Sequence, residues 1–279
     1  MAIYVTSDAH GHVRALDRAL ELAAPLSEDT VYVLGDMVDR GPDPVGVIGL
    51  VRGLSNARVL MGNHERMLLD VLCNTGEMDD ITWALNGGGT TLAGLDELDR
   101  NAYRELMDWL AALPLFDVVE AGSRTYILVH AGIDAMEARG FLATAGVDCS
   151  AGQGAAAASH ELLLDMLGRQ NPETLLWTRW EFWGEPTGLV GADGSGPVVV
   201  AGHTPSIALP GYADRMDCTP EEASRLGRIV RVGACDDTAG VADRIDIDCS
   251  AAAGSGRGCV GIMRLDDGAV WCVPVEEGE

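Results

Sequence analysis

At 279 residues and 47% hydrophobic content, the chain can bury a full core, and its length suits one large α/β domain better than two small ones. A formal net charge of -24 excludes binding of nucleic acid or anionic lipid through a basic face. All 19 basic residues are arginine, which excludes P-loop NTPase chemistry, Schiff-base catalysis and lysine general bases.

The acidity reads as a solubility or salt-adaptation trait. The amino-terminal MAIYVTSDAH has no basic segment followed by a long apolar one, and no stretch approaches the roughly 18 apolar residues of a membrane span, so a cytoplasmic protein is expected. Seven cysteines without a C-x-x-C pair do not resemble a disulfide framework, and most are expected to be buried as small apolar residues.

Along the chain, five short apolar runs predict buried strands at Ile3–Val5, Val31–Leu34, Val59–Met61, Ile127–Val129 and Val198–Ala201. Helical spacing follows the first run, at Val13, Leu16 and Leu20, and the third, at Met67, Leu68, Val71 and Leu72. Strand and helix in alternation imply parallel βαβ crossovers, whose ligands bind beyond the carboxyl ends of the strands.

Two insertions interrupt this single domain of residues 1–279. Residues 70–113 read as an irregular helical cap broken at Asn86-Gly87-Gly88-Gly89-Thr90. Residues 134–174 contain the small-residue tract Ala151–Ala158, expected to be a mobile loop, and a helix capped by Ser159. Strand-like runs at Ile229–Val232, Ile245–Ile247, Cys259–Leu265 and Val270–Val275, with a turn at Asp266-Asp267-Gly268, predict a second sheet packed on the first. The expected class is α/β, a two-sheet α/β/β/α sandwich.

Each of the five early strands runs into a polar cluster: Asp8-Ala9-His10-Gly11, Gly35-Asp36-Met37-Val38-Asp39-Arg40-Gly41, Gly62-Asn63-His64-Glu65, His130-Ala131-Gly132 and Gly202-His203-Thr204-Pro205. They hold four of the six histidines. Carboxylates, imidazoles and one amide oxygen, without clustered thiolates, suit Mn, Fe, Zn or Mg, and two ions need about that many ligands. An Asp-x-His at a strand end can chelate one ion, and Asp36 from the neighbouring strand can bridge to a second.

Singly these residues are ordinary turn and cap formers, and His64, Arg40 and Arg179 could each be a helix-start residue or a solvated charge. Jointly, in order, D-x-H-G, G-D-x-V-D-R-G, G-N-H-E, H-x-G and G-H-T resemble the PPP family of calcineurin-like metallophosphoesterases from Ile3 to Thr204. The resemblance implies a first metal on Asp8, His10 and Asp36 and a second on Asp36, Asn63, His130 and His203, with Mn expected and Fe or Zn as alternatives. It also implies that His64, oriented by Asp39, protonates the leaving group, that Arg40 binds the phosphate, and that Arg179, after Leu175-Leu176-Trp177, is the second phosphate arginine. Arginine forks match phosphate oxygens and stay charged.

Ser7 departs from the usual glycine before the first aspartate, and residues 212–241 have no counterpart in the pattern. Glu65, His12 and His160 read as structural, and the six tryptophans as packing. Gly256-Arg257-Gly258-Cys259-Val260-Gly261 fits a dinucleotide-binding spacing but opens a strand, and no cysteine precedes an arginine at cysteine-phosphatase spacing.

The expected activity is hydrolysis of phosphate esters by water activated between two metal ions. The leading substrate is a phosphoserine or phosphothreonine protein. Phosphorylated small molecules are the rival substrates, foremost a symmetrically cleaved dinucleoside tetraphosphate, and a catalytically silent metal-binding module is the alternative of another class.

Overall fold

The computed structural model describes residues 1–76, 78–150 and 152–279. Ten strands form two five-stranded sheets. In the first, β1 (Ile3–Thr6), β2 (Thr30–Val33) and β3 (Ala57–Val59) run parallel, and β9 (Cys259–Arg264) and β10 (Val270–Pro274) add antiparallel on the free side of β1. In the second, β4 (Phe116–Ala121), β5 (Arg124–Val129), β6 (Val198–Ala201), β8 (Arg244–Asp246) and β7 (Val230–Val232) lie in the order β4-β5-β6-β8-β7.

Alternation along the strands explains the layers. Tyr4, Val31 and Val33 point into a core shared with helices α1 (Val13–Ala23), α2 (Pro44–Gly53) and α3 (Asn63–Cys73). Val5, Tyr32 and Leu34 turn the other way and meet Leu128, Val198 and Val200 between the sheets. Ile127, Val129, Val199 and Ala201 then face a third core with α7 (Ala135–Thr144) and α8 (His160–Leu167). Strands buried on both faces read as unbroken apolar runs, and the order of layers is the expected α/β/β/α sandwich.

Four expectations change. The carboxyl-terminal strands do not make a sheet of their own: β9 and β10 extend the first sheet, while β7 and β8 join β5 and β6. The edge of β1 needed a partner, and Tyr4 and Val5 find it in Arg264 and Met263. Strand β4 was not anticipated; it pairs with β5 over six residues.

The tract 151–158 is not a loose loop in its described part, Ala151 lying outside the described residues. Ala155 is buried and donates its N–H to Leu189 O at 2.7 Å, and a side chain at Gly154 would collide with Leu189, so small residues here permit close backbone packing. Of the seven cysteines only Cys249 and Cys259 are buried, whereas Cys73 ends α3 and Cys272 stands on the edge strand β10, both exposed.

The helical insertion is α4 (Asp80–Leu85), α5 (Gly88–Asp96) and α6 (Arg100–Ala111). Trp83, Leu95, Leu106 and Leu110 anchor it in the same core as α1 to α3. It also touches the loop after β2, where Arg40 donates its N–H to Gly87 O at 3.1 Å. Ser159 caps α8 as expected, accepting from Leu162 N, and Asp266-Asp267-Gly268 turns β9 into β10.

Candidate metal centre

All five polar clusters leave carboxyl ends of strands, from both sheets, and converge on one rim. The loops after β1 and β2 prolong the parallel ladder: Asp8 N donates to Gly35 O at 3.1 Å, His10 N to Asp36 O at 2.9 Å and Gly11 N to Met37 O at 3.0 Å. Across the second sheet, Gly202 N donates to His130 O at 2.7 Å. Glu65 ties the two sides of the first sheet's rim, its carboxylate accepting N–H groups of Asp36 (2.8 Å), Met37 (2.7 Å) and Gly62 (3.0 Å). Its expected structural role is thereby given a form. A side chain at Gly62 would strike Asp36 Oδ1 and one at Gly202 would strike Asp8 Oδ2, so these glycines admit the carboxylates.

The backbone is strained here. Asp8, His10, Asp36, Asp39, Arg40 and His203 all have φ between 42° and 69°, left-handed values that L side chains adopt at a cost.

Lone pairs meet lone pairs in two places. His130 Nδ1 lies 2.7 Å from Leu34 O and must donate to it, leaving Nε2 unprotonated in the neutral ring. That Nε2 faces Asn63 Oδ1 at 2.8 Å and Asp36 Oδ1 at 3.4 Å, and His203 Nδ1 reaches the same Asn63 oxygen at 2.8 Å. On the other side His10 Nδ1 donates to Val38 O at 2.8 Å, so its Nε2 faces Asp36 Oδ2 at 3.5 Å and Asp8 Oδ1 at 4.0 Å. Asp8 Oδ1 and His203 Nε2 are buried with no partner at all.

Burial holds His10 and His203 well below the usual imidazole range, neighbouring histidines adding to the effect. Burial, then the charges of Asp8 and Glu65, pushes the Asp36 carboxyl well above its usual range. Buried imidazole and carboxylate atoms gathered in two groups that share Asp36 fit a pair of divalent cations.

Beside them, His64 donates Nδ1–H to Asp39 Oδ2 at 2.7 Å. Asp39 also accepts from Thr91 Oγ1 at 2.6 Å and Trp83 Nε1 at 3.0 Å. Burial lowers His64 to about 2 and raises Asp39 to about 6, the Thr91 and Trp83 hydrogen bonds pulling Asp39 the other way. His64 Nε2 comes within 3.9 Å of Asp36 Oδ2, so by distance alone it too could ligate. Arg40 projects from the exposed side with one guanidinium nitrogen 3.0 Å from His10 Nε2. Arg179 bonds His203 O at 3.4 Å and keeps a buried Nε without a partner.

Every residue expected at the site is therefore at this rim. Four others were missed. Thr91 and Trp83 come from the helical insertion, and nothing local in the sequence links them to Asp39. Asp246 and Asp248 had a signal, since they flank the end of β8, which runs parallel to β6 like the ligand-bearing strands. Both are fully buried and pushed well above the usual carboxyl range, by burial first and then by other carboxylates, Asp8 among them.

Next to the rim opens a cleft of about 790 Å³ with Ile133, Thr178 and Trp177 on its walls and Trp180 beside them. Trp177 sets its edge against the His203 ring at 6.0 Å, and Trp180 is 62% exposed, so the tryptophans are not all packing residues. Trp83 and Trp183 are buried. His12 bonds Glu279 O at 3.0 Å and His160 starts α8, both structural as expected. No described helix is long and apolar enough to cross a membrane.

Over about half of its length the chain is 33% identical to a symmetrical bis(5'-nucleosyl)-tetraphosphatase of Nitrosospira multiformis and 36% identical to one of Paracidovorax citrulli, covering 48% of this chain in each case. The matches span 44% and 45% of those proteins, under half of their length. In fold it is similar to a crystal structure provisionally described as a diadenosine tetraphosphatase (TM-score 0.56, 17% identity, 99% of this chain and 94% of that one). It is also similar to a Saccharomyces cerevisiae protein serine/threonine phosphatase (TM-score 0.52, 14% identity, 100% and 81%). The family model for calcineurin-like phosphoesterases matches residues 1–232, and the chain belongs to that family.

Proposed function

We propose that the chain is a two-metal hydrolase of dinucleoside polyphosphates, cleaving a tetraphosphate symmetrically, with phosphoprotein hydrolysis as the second reading. This reverses the order expected from sequence. The carrying observation is that Trp177, whose ring centroid stands 6.0 Å from that of His203, and the exposed Trp180 border a cleft beside the rim, since a nucleoside can use an aromatic face near the phosphate site and a phosphoserine side chain does not need one. The likeness to the symmetrical tetraphosphatases supports the same reading. Gly202-His203-Thr204-Pro205, the Trp83–Thr91 segment with its Asn-Gly-Gly, and Leu175-Leu176-Trp177 before Arg179 resemble the protein phosphatase branch and favour the second.

In this reading Asp8, His10 and Asp36 hold one cation, and Asp36, Asn63, His130 and His203 the other. Cations bound there would supply a nucleophile from water at neutral pH and would neutralise charge on the phosphoryl group. The remaining work belongs to the chain. Arg40, beside His10, and Arg179, beside His203, grip the phosphoryl oxygens and hold them in line. Asp39 fixes the His64 ring and tautomer, leaving Nε2 free, and in this reading that Nε2 serves as the proton donor to the leaving group. His64 is neutral without substrate, because burial disfavours its charge. The arriving phosphate supplies the counter-charge that lets Nε2 take up the proton it later gives to the departing oxygen.

The test is a comparison of kcat/KM for the Mn-loaded chain on diadenosine tetraphosphate, a phosphoserine peptide and a phosphotyrosine peptide, with nucleotide products resolved chromatographically. The tetraphosphate should lead and yield two molecules of ADP. A phosphoserine peptide ahead of it would install the second reading.

A further inference from the structure

Cys249 and Cys272 form the one thiol–thiol contact among the described residues, with sulfurs 3.9 Å apart. Three independent features prepare it. Cys272 stands opposite Gly261 in the β9–β10 ladder. A side chain at Gly261 would collide with Cys249 Sγ, so the bare glycine clears the path between the two sulfurs. The thiols also differ: Cys249 is buried between the sheets and Cys272 is exposed.

We propose that Cys249 and Cys272 are a redox dithiol that closes to a reversible disulfide under hydroperoxide and slows turnover at the neighbouring metal centre. Cys272, on the exposed edge strand β10, is the cysteine of the pair nearer solvent and the one a peroxide meets first. Cys272 is lowered to about 7, first because the Cys249 S–H donates to it, then by Ile229 N–H and the Arg228 charge, so a large fraction is thiolate at neutral pH. Its sulfur attacks the peroxide O–O bond, giving a sulfenic acid and releasing the alcohol, or water when the oxidant is hydrogen peroxide. The Cys249 sulfur then attacks the Cys272 sulfur, the S–S bond forms, and the hydroxyl leaves with a proton as water. Two thiols lose two electrons and two protons to the peroxide, and no other co-reactant is needed.

The bond would fasten β10 of the first sheet to the segment leaving β8 of the second, and the sulfurs must close to about 2.05 Å to make it. That segment holds the loop after His203. Asp248 O accepts Ser206 N at 2.9 Å, Ser250 Oγ lies 3.2 Å from Ser206 Oγ, and it accepts Ile207 N at 3.2 Å. A pull on Cys249 therefore reaches the His203 loop through its two neighbours.

The metal-loaded chain is treated with hydrogen peroxide, and free thiols are then blocked. Expected are a peptide joining Cys249 to Cys272 by mass spectrometry and a fall in nitrophenyl phosphate turnover of about fivefold or more, the lower end of ordinary coupling between sites. Both are restored by dithiothreitol. Cys272→Ser, at an exposed position, should keep basal turnover, form no link and resist the treatment. Cys249→Ser should leave a sulfenic acid on Cys272 that dimedone traps; should that variant not fold, Cys272→Ser decides alone. No link in the wild-type chain, a link between other cysteines, or equal inactivation of Cys272→Ser would overturn the proposal. A complete link with unchanged turnover would overturn its coupling to the metal centre.

Discussion

The rim of the metal centre and the β9–β10 hairpin are built on opposite principles. In the hairpin five residue pairs keep register, and Arg264 forks onto Asp267 at 2.9 and 2.6 Å while lying over the Tyr4 and Trp271 rings. Its backbone is regular and its charged groups are partnered. At the rim, six of the ten left-handed non-glycine residues among the described residues crowd together, imidazole and carboxylate lone pairs face one another, and Asp8 Oδ1, His203 Nε2 and Arg179 Nε are buried without a partner. Each left-handed residue costs on the order of 1 kcal/mol or more, and each orphaned polar atom about 1–3 kcal/mol. A region shaped for stability alone would shed those costs. On the proposed reading, bound cations would offset the cost of the unpartnered polar atoms, and removing rim features one at a time separates the two principles.

The largest effect should come from Asp36→Asn. Asp36 is common to both ligand groups, so metal content and turnover should fall together to background. Near-normal turnover with two bound ions would remove the bridging role. Next are the arginines: Arg40→Ala and Arg179→Ala should each cost about 10² to 10³ in kcat, as loss of one transition-state donor does, with metal content unchanged. If Arg179→Ala is kinetically silent, the second grip lies elsewhere.

His64→Asn should slow a substrate with a basic leaving oxygen by about 10² while affecting nitrophenyl phosphate much less, because nitrophenolate departs without a proton. Equal slowing of both by the metal-replete variant would reassign His64 to positioning or ligation.

The smallest effect separates function from stability. Asp39 is raised from 3.8 to about 6 in the folded chain, which therefore binds the proton more tightly than the unfolded chain. This linkage favours folding fully below about pH 4 and is lost as pH rises through about 6. At pH 7 the buried carboxylate costs at most roughly 3 kcal/mol, since a tenfold change in proton affinity corresponds to about 1.36 kcal/mol. Asp39→Asn loses an acceptor for His64, Thr91 or Trp83 at every pH, so the linkage shows in the difference: the Tm of the chelated variant relative to wild type should be higher at pH 7 than at pH 5, while turnover falls. A higher relative Tm at pH 5 would contradict the assignment.

How much of this was legible in sequence follows from what each residue answers to. The ligand clusters were readable because each is a polar group placed at the end of an apolar run, a local pattern that survives folding unchanged. The division of strands between sheets was not, since Ile127–Val129 and Val31–Leu34 carry the same signal and only tertiary pairing assigns them. Trp83 and Thr91 reach Asp39 from 44 and 52 residues away, a contact that no local spacing encodes. Asp246 and Asp248 could have been found, because they end an apolar strand as the ligands do. The Ala/Gly tract misled because small residues serve close packing as readily as flexibility.

The central claim is that the rim's facing lone pairs are a two-cation site. Its most direct test is to strip the wild-type chain with chelator, titrate it with Mn(II), and measure bound metal per chain alongside Tm. Two ions per chain, with a rise in Tm on loading, are predicted. A folded chain that takes up no ion, or only one, with its Tm unmoved, would contradict it.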